Sequence, residues 1–363
     1  MDTNELKYWI AFSQIPQVGA KRFKLLILYF ENLNEAWEAS SFQYIKSGLD
    51  KKTVEQIINS KQNIDPDFEM DLIQKHNVQV VTIKDKDYPK QLAQIYNPPA
   101  LFYYKGNLKI LDQPCLSVVG TRKITSYGKR VTAEIVAELT KSDLTIVSGL
   151  AFGVDALAHQ TTIDNDGKTA AVLGSGLDSI YPINNTRLAY QIIEKGGCLI
   201  SEYPIGMGAL KHHFPVRNRI ISGLSLGTLV TEAGFSSGAL ITTKFALDQN
   251  RQIFAVPGSI YNDSATGPNK LIKFGATPVL CADDILEALN IEKRHQHQKV
   301  KKIIPDSPQE KMIIDILSSE PITIDKIVKL TAMDIQKVNS TLTMMEMKGM
   351  VKNLGGGNYV LCS

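Results

Sequence analysis

The sequence predicts an α/β protein: a Rossmann-like, doubly wound, mainly parallel sheet, with a helical domain before it and a small winged-helix domain after it. Three observations carry this expectation. Short apolar runs recur from about residue 115, at CLSVVG, LTIVSG, TAAVLG, CLISEY, LGTLVTE, QIFAVPG and TPVLCA, most of them separated by helix-length stretches. Continuous apolar strands alternating with helices indicate a parallel sheet covered on both faces. The residues before that alternation read as helices, and those after it as three helices and a glycine-turn hairpin.

Taken in order, residues 1–95 offer helices at KYWIAFSQI, RFKLLILYF and VEQIINS. The link IPQVGAKRFKLL is a turn whose glycine opens an amphipathic helix. It has the form of a helix-hairpin-helix, in which backbone N–H groups face a phosphate, although any helical hairpin needs such a turn. Lys21, Arg22 and Lys24 read as a solvated face of that helix. Residues 96–290 hold the sheet domain, entered through YNPPALFYYKG, which reads as a connector strapping the two domains. Its helices are expected at SYGKRVTAEIVAELTKS, GVDALAHQTTI, NNTRLAYQIIEKG and SGALITTKFALDQN. Residues 291–308 are polar and basic, with little to bury, and read as a linker. Residues 309–363 give helices at EKMIIDILSS, IDKIVKLT and DIQKVNSTLTMMEMKGM, then the hairpin VKNLGGGNYVLC.

With 363 residues, 44% of them hydrophobic and 21% charged, the chain has ample material for a core. No apolar run reaches the roughly 18 residues a spanning helix needs. The opening MDTNELKYWIAF lacks the order of a secretory leader. Cys115, Cys198, Cys281 and Cys362 lie far apart with no CxxC spacing, so reduced thiols and a cytoplasmic location are expected. A net charge of +3 names no partner. Its distribution says more: no acid falls between Glu202 and Glu232, while Lys211, His212, His213, Arg217 and Arg219 fall within nine positions. A local basic patch of this kind suggests a confined anion site.

Ligands of a doubly wound sheet sit outside the carboxyl ends of its strands. The residues there are Gly120-Thr121-Arg122, the run Ser148-Gly149 to Gly153, Gly174-Ser175-Gly176, and Ser236-Ser237-Gly238. Small residues expose backbone N–H groups where helices begin, an arrangement that holds phosphates. A dinucleotide fingerprint is absent, because GTRKITSYG follows the first strand and the second ends in Ser148-Gly149 rather than near an acid. The GKT at Gly167–Thr169 precedes a strand and has Thr162 in place of the first P-loop glycine. GFSSG at 234–238 matches a hydrolase elbow, but the histidines after it, His295 and His297, lie in the linker. Ser236 reads instead as a helix cap or a phosphate donor. Asp155 and His159, one helical turn apart, read as packing residues. No cofactor and no metal are expected.

SVVGTR (117–122), SGLAFGVDALAH (148–159), AVLGSGLDSIYP (171–182), LISEYP (199–204), FPVRNRIISGLS (214–225), SSGALITTKFALDQNR (236–251) and the PG…GPNKLIKFGA pattern (257–276) occur in order. Together they resemble the DNA processing protein A family, also called Smf, over about residues 60–282. The resemblance implies a single-stranded DNA binder of natural transformation and recombination. Such a protein protects incoming strands, loads the recombinase RecA, acts as a homodimer and has no established catalytic activity. It places the DNA pocket on Arg122, Lys211, Phe214 and the Arg217-Asn218-Arg219 run, with the glycine-serine loops as phosphate cradle and Lys244 within the SSGALITTKF motif.

The residues themselves agree with such a site. Single-strand binding needs cations along a groove and an aromatic face for a base, and Phe214 stands three residues from both Lys211 and Arg217. The alternative is that Phe214 is core and the arginines pair with Glu202 and Glu232; for Arg219, bracing and phosphate contact stay equally open. The third winged-helix helix offers only Lys337 and Lys348 as cations, few for duplex DNA. LGTLVTE (226–232) also resembles the GTxxE element of the nucleotide phosphoribohydrolases, which implies Glu232 and Arg219 on a ribose, but the PGG that precedes that element in those enzymes is replaced here by Gly223-Leu224-Ser225-Leu226. A mononucleotide sensor using the same loops is a third reading.

Overall fold

The computed structural model describes residues 3–291, 307–317, 322–348, 350–353 and 357–361. The chain folds as two compact units, Met1–Lys293 and Arg294–Ser363. Most of the expected linker at 291–308 lies outside the described residues.

The first unit begins with helices α1 (Thr3–Ser13), α2 (Ala20–Tyr29), α3 (Leu33–Glu38), α4 (Ser41–Lys46), α5 (Lys51–Lys61) and α6 (Pro66–Lys75). Asn32, Ser40, Asp50 and Asp65 each accept a backbone N–H in the first turn of the helix they precede, which fixes where α3 to α6 begin. Trp9, Phe12, Phe23 and Trp37 pack at the centre, with Phe12 edge-on to Trp37 at 5.0 Å. α2 begins on Gly19 without a side-chain cap.

Residues 1–95 are not wholly helical. Gln79–Thr82 forms strand β1, and the expected connector forms strand β2 (Leu101–Gly106), antiparallel to it with Val80 opposite Tyr103. The aromatic run that suggested a strap is suited to a strand, because Phe102 and Tyr103 are both fully buried. A short helix α7 (Lys90–Ala93) lies between the two strands.

The rest of the unit alternates: β3 (Cys115–Val119), α8 (Ser126–Leu139), β4 (Thr145–Ser148), α9 (Val154–Asp164), β5 (Lys168–Leu173), α10 (Thr186–Glu194), β6 (Cys198–Ser201) and α11 (His213–Gly223). Then come β7 (Gly227–Val230), α12 (Ala239–Asp248), β8 (Gln252–Ala255), α13 (Thr266–Lys273), β9 (Thr277–Pro278) and α14 (Ala282–Ala288). The sheet order is β1-β2-β6-β5-β4-β3-β7-β8-β9. β2 runs antiparallel to β6, and every pair from β6 to β9 is parallel. From β3 the chain builds outward to β6, then crosses back to place β7 on the other side of β3. That reversal opens a crevice between the carboxyl ends of β3 and β7. Both faces are covered: Leu116, Val118 and Leu229 pack with Ile135 and Val136 of α8 on one side. Val119, Val147 and Val230 pack with Ile220 and Ile221 of α11 on the other. This is the doubly wound sheet that the apolar strands predict.

The second unit contains α15 (Pro308–Ile314), β10 (Ile322–Thr323), α16 (Ile324–Thr331), α17 (Ile335–Met347), β11 (Val351–Asn353) and β12 (Asn358–Leu361). Its sheet order is β10-β12-β11, with antiparallel pairing throughout. Ile313, Ile327, Val338, Leu342 and Met345 form its core. Among the described residues, three helices on a small antiparallel sheet make a winged helix.

Candidate functional site

The crevice at the chain reversal holds a pocket of about 650 Å³. Gly120, Thr121 and Arg122 come to it from the loop after β3, and Lys211, Phe214, Arg217 and Asn218 from the start of α11. Ser236, Ser237 and Gly238 arrive from the turn before α12. Residues separated by more than a hundred positions meet here because β3 and β7 are neighbours with Val119 opposite Val230.

Phe214 is half-buried and lies against Gly174, where a Cβ would approach its Cδ1 to 3.0 Å. The Arg122 guanidinium stands 5.9 Å from its ring centroid and that of Arg217 6.0 Å, within cation–π range. Tyr181 adds a second ring at 5.5 Å, tilted by 45°. Arg122 and Lys211 are exposed, and neither enters an ion pair among the described residues.

Arg217 behaves differently. It is 4% exposed, and its Nη1 donates to the carbonyls of Gly149, at 2.9 Å, and Val172. Burial pulls its pKa down to about 10, and Asp155 works against that shift. Asp155 is also buried, which raises its pKa, while Arg217 and the N–H groups of Ala151 and Gly149 oppose the rise. Gly149 N–H donates to its Oδ2 at 3.1 Å. Arg217 therefore clamps the carboxyl ends of β4 and β5 from beneath the pocket, with its positive charge still facing the crevice.

Arg219 turns the other way. Its Nη2 donates to Glu202 Oε1 at 2.5 Å, so of the two readings of this residue the structure has the brace. Glu232 pairs with neither arginine. It is 2% exposed and accepts Thr125 Oγ1 at 2.5 Å and Thr125 N–H at 3.0 Å, which fixes the start of α8.

Eight expected site residues are not brought to the pocket wall. Ser148 is fully buried, its hydroxyl donating to Val118 O. Ser175 donates to Ser179 O, and Gly176 N–H donates to Met207 O. Gly149 lies under the Arg217 guanidinium, and Gly174 under the Phe214 ring. Gly153, at φ +78°, would drive a Cβ into Thr121 O, so it joins the loops after β3 and β4. Arg219 faces away, and Lys244 is exposed on α12 outside the pocket lining. In the 236–238 turn it is Ser237, not Ser236, that accepts the Ala239 N–H. Sequence reasoning missed Tyr181 and Asp155 as site components. Tyr181 follows β5 at the informative sheet edge, which was the available signal.

Residues 79–290 match the family described as DNA recombination-mediator protein A. The chain belongs to this family. Residues 298–357 match the DprA winged helix domain. Protein Smf of Synechocystis sp. is 37% identical over 99% of both chains. The X-ray structure of DNA processing protein A from Streptococcus pneumoniae covers 79% of this DprA-family chain and 98% of its own, with TM-score 0.69 and 36% identity. A Helicobacter pylori DNA processing protein A structure, described for its single-stranded DNA binding mode, covers 60% of the chain and 99% of its own, with TM-score 0.54 and 29% identity. These DprA relatives match the expectation set by the motifs. No helix among the described residues is long and apolar enough to cross a membrane.

Proposed function

We propose that the pocket binds single-stranded DNA, with phosphates on Arg122, Lys211 and the N–H groups of Ser236 and Gly238, and a base on Phe214. One observation carries this reading: two exposed cations, without acidic partners among the described residues, line the same crevice pocket as a half-buried ring, and one of them stands 5.9 Å from its centroid. Charge along a groove with an aromatic platform is the requirement for sequence-tolerant strand binding, and stacking contributes about 1–3 kcal/mol per base. The Helicobacter pylori relative supports the choice of ligand. The deciding experiment is a fluorescence-anisotropy titration of labelled poly-dT against an equal-length duplex. Tight single-strand binding that Arg122→Ala/Lys211→Ala abolishes is the expected result, and binding unchanged by both substitutions moves the site elsewhere.

Family membership supports the further proposal that the bound strand is handed to RecA, and that the chain works as a homodimer. Exposed Leu247, Ile260, Tyr261, Phe274 and Leu280 offer apolar surface for association. The phosphoribohydrolase alternative finds less support. Glu232 is held by Thr125 and Arg219 by Glu202, so the two groups it needs do not converge. Release of adenine from AMP would restore it.

A further inference from the structure

The first turns of α11 have two sides. Lys211, Phe214 and Asn218 line the pocket, whereas His212, Val216 and Arg219, at helical spacing, line a second cleft of about 900 Å³. Its opposite wall is the turn Gln17–Arg22 that opens α2.

Three independent features there suit a nucleotide. The α2 N-terminus has no side-chain cap, which leaves backbone N–H groups for an anion. Arg219, 8% exposed, has one guanidinium nitrogen, Nη1, without a partner, while Nη2 is held by Glu202. A buried charged donor left unpaired is costly. Lys21 lies at the cleft wall with its ammonium 5.3 Å over the ring of Tyr96, which is 83% exposed beside the cleft, so a cation and an exposed aromatic ring recur together.

We propose that this cleft is a second nucleotide subsite for the same DNA strand, which continues over the first turn of α11. A phosphate sits at Lys21 and the α2 N-terminus, the base enters the apolar cleft with an acceptor atom on Arg219 Nη1, and the next base stacks on Tyr96. The proposal rests on the single-stranded DNA reading of the pocket.

The test titrates dT oligomers from about 4 to about 16 nucleotides against the full chain carrying Lys21→Glu, Tyr96→Ala or Arg122→Ala. Lys21 and Tyr96 are exposed, and a glutamate in a first helical turn favours the helix, so the first two variants should fold, which a melting curve checks. The expected result is wild-type affinity for the shortest oligomer and roughly tenfold weaker binding of the longest. Lys21→Glu should also flatten the salt slope by about one. Wild-type affinity at every length in both variants overturns the proposal, and is what a cleft serving a protein segment would give. Arg122→Ala reports separately: binding unaffected by it at all lengths removes the pocket reading, whatever the cleft variants do.

Discussion

Arg217 and Arg219 sit two positions apart and do different work, because a helix turns about 200° over two residues. One reaches the carbonyls of Gly149 and Val172, the other Glu202. Removing only the exposed charges should therefore leave the fold intact: Arg122→Ala and Lys211→Ala each lower poly-dT affinity by about tenfold or more with an unchanged melting temperature. Phe214→Ala should cost about 1–3 kcal/mol of binding, and Phe214→Tyr should recover most of it. His159 gives a pH prediction. It is fully buried, its Nδ1 2.7 Å from Thr169 Oγ1, and burial drops its pKa to about 3. Between that value and an ordinary histidine pKa near 6.5, the unfolded chain binds the extra proton. Stability is thus full above about 6.5 and falls as pH drops toward 3, by up to about 1.4 kcal/mol per unit. Melting curves across that window should show the slope, and His159→Gln should flatten it. That Lys211 and Phe214 lie close together was legible in sequence from their spacing, and that Arg122 reaches the same sheet edge was legible from its place directly after the first apolar strand. The inward turn of Arg217 and the approach of Tyr181 were not, since both depend on which strands become neighbours.

The loops after β3 and β4 act as one element through Gly153. Its φ of +78° and the contact with Thr121 O leave no room for a side chain. Gly153→Ala should lower unfolding free energy by about 2–4 kcal/mol, read from a urea midpoint, and weaken DNA binding with it. α17 illustrates a different limit. Lys348, which follows its last turn, is paired with the buried Glu310 at 2.7 Å, so Lys337 is the cation that α17 itself carries. Strands β3 to β8 were legible as continuous apolar runs between helices. β1 and β2 were not: Gln79–Thr82 is a four-residue run shortly after a helix, and the aromatic residues of β2 with nearby prolines suit a buried strand and a packed connector equally well, so only the pairing of the two decides.

All pocket and cleft residues belong to the unit Met1–Lys293. A chain ending at Lys293 should keep poly-dT affinity within about threefold of the full protein at moderate salt, a comparison that the same anisotropy assay makes. The antiparallel pairing of β2 with β6 adds a temporal constraint. Tyr103 pairs with Ser201, so the hairpin that follows the helical domain has no sheet to join until almost a hundred further residues have left the ribosome. The nascent helices can pack at once, but β2 must wait with an unpaired hydrogen-bonding edge while β3 to β5 are made. Pulse-chase proteolysis of stalled chains should show that edge cleaved before β6 emerges and protected afterwards, with synthesis itself setting the order of assembly.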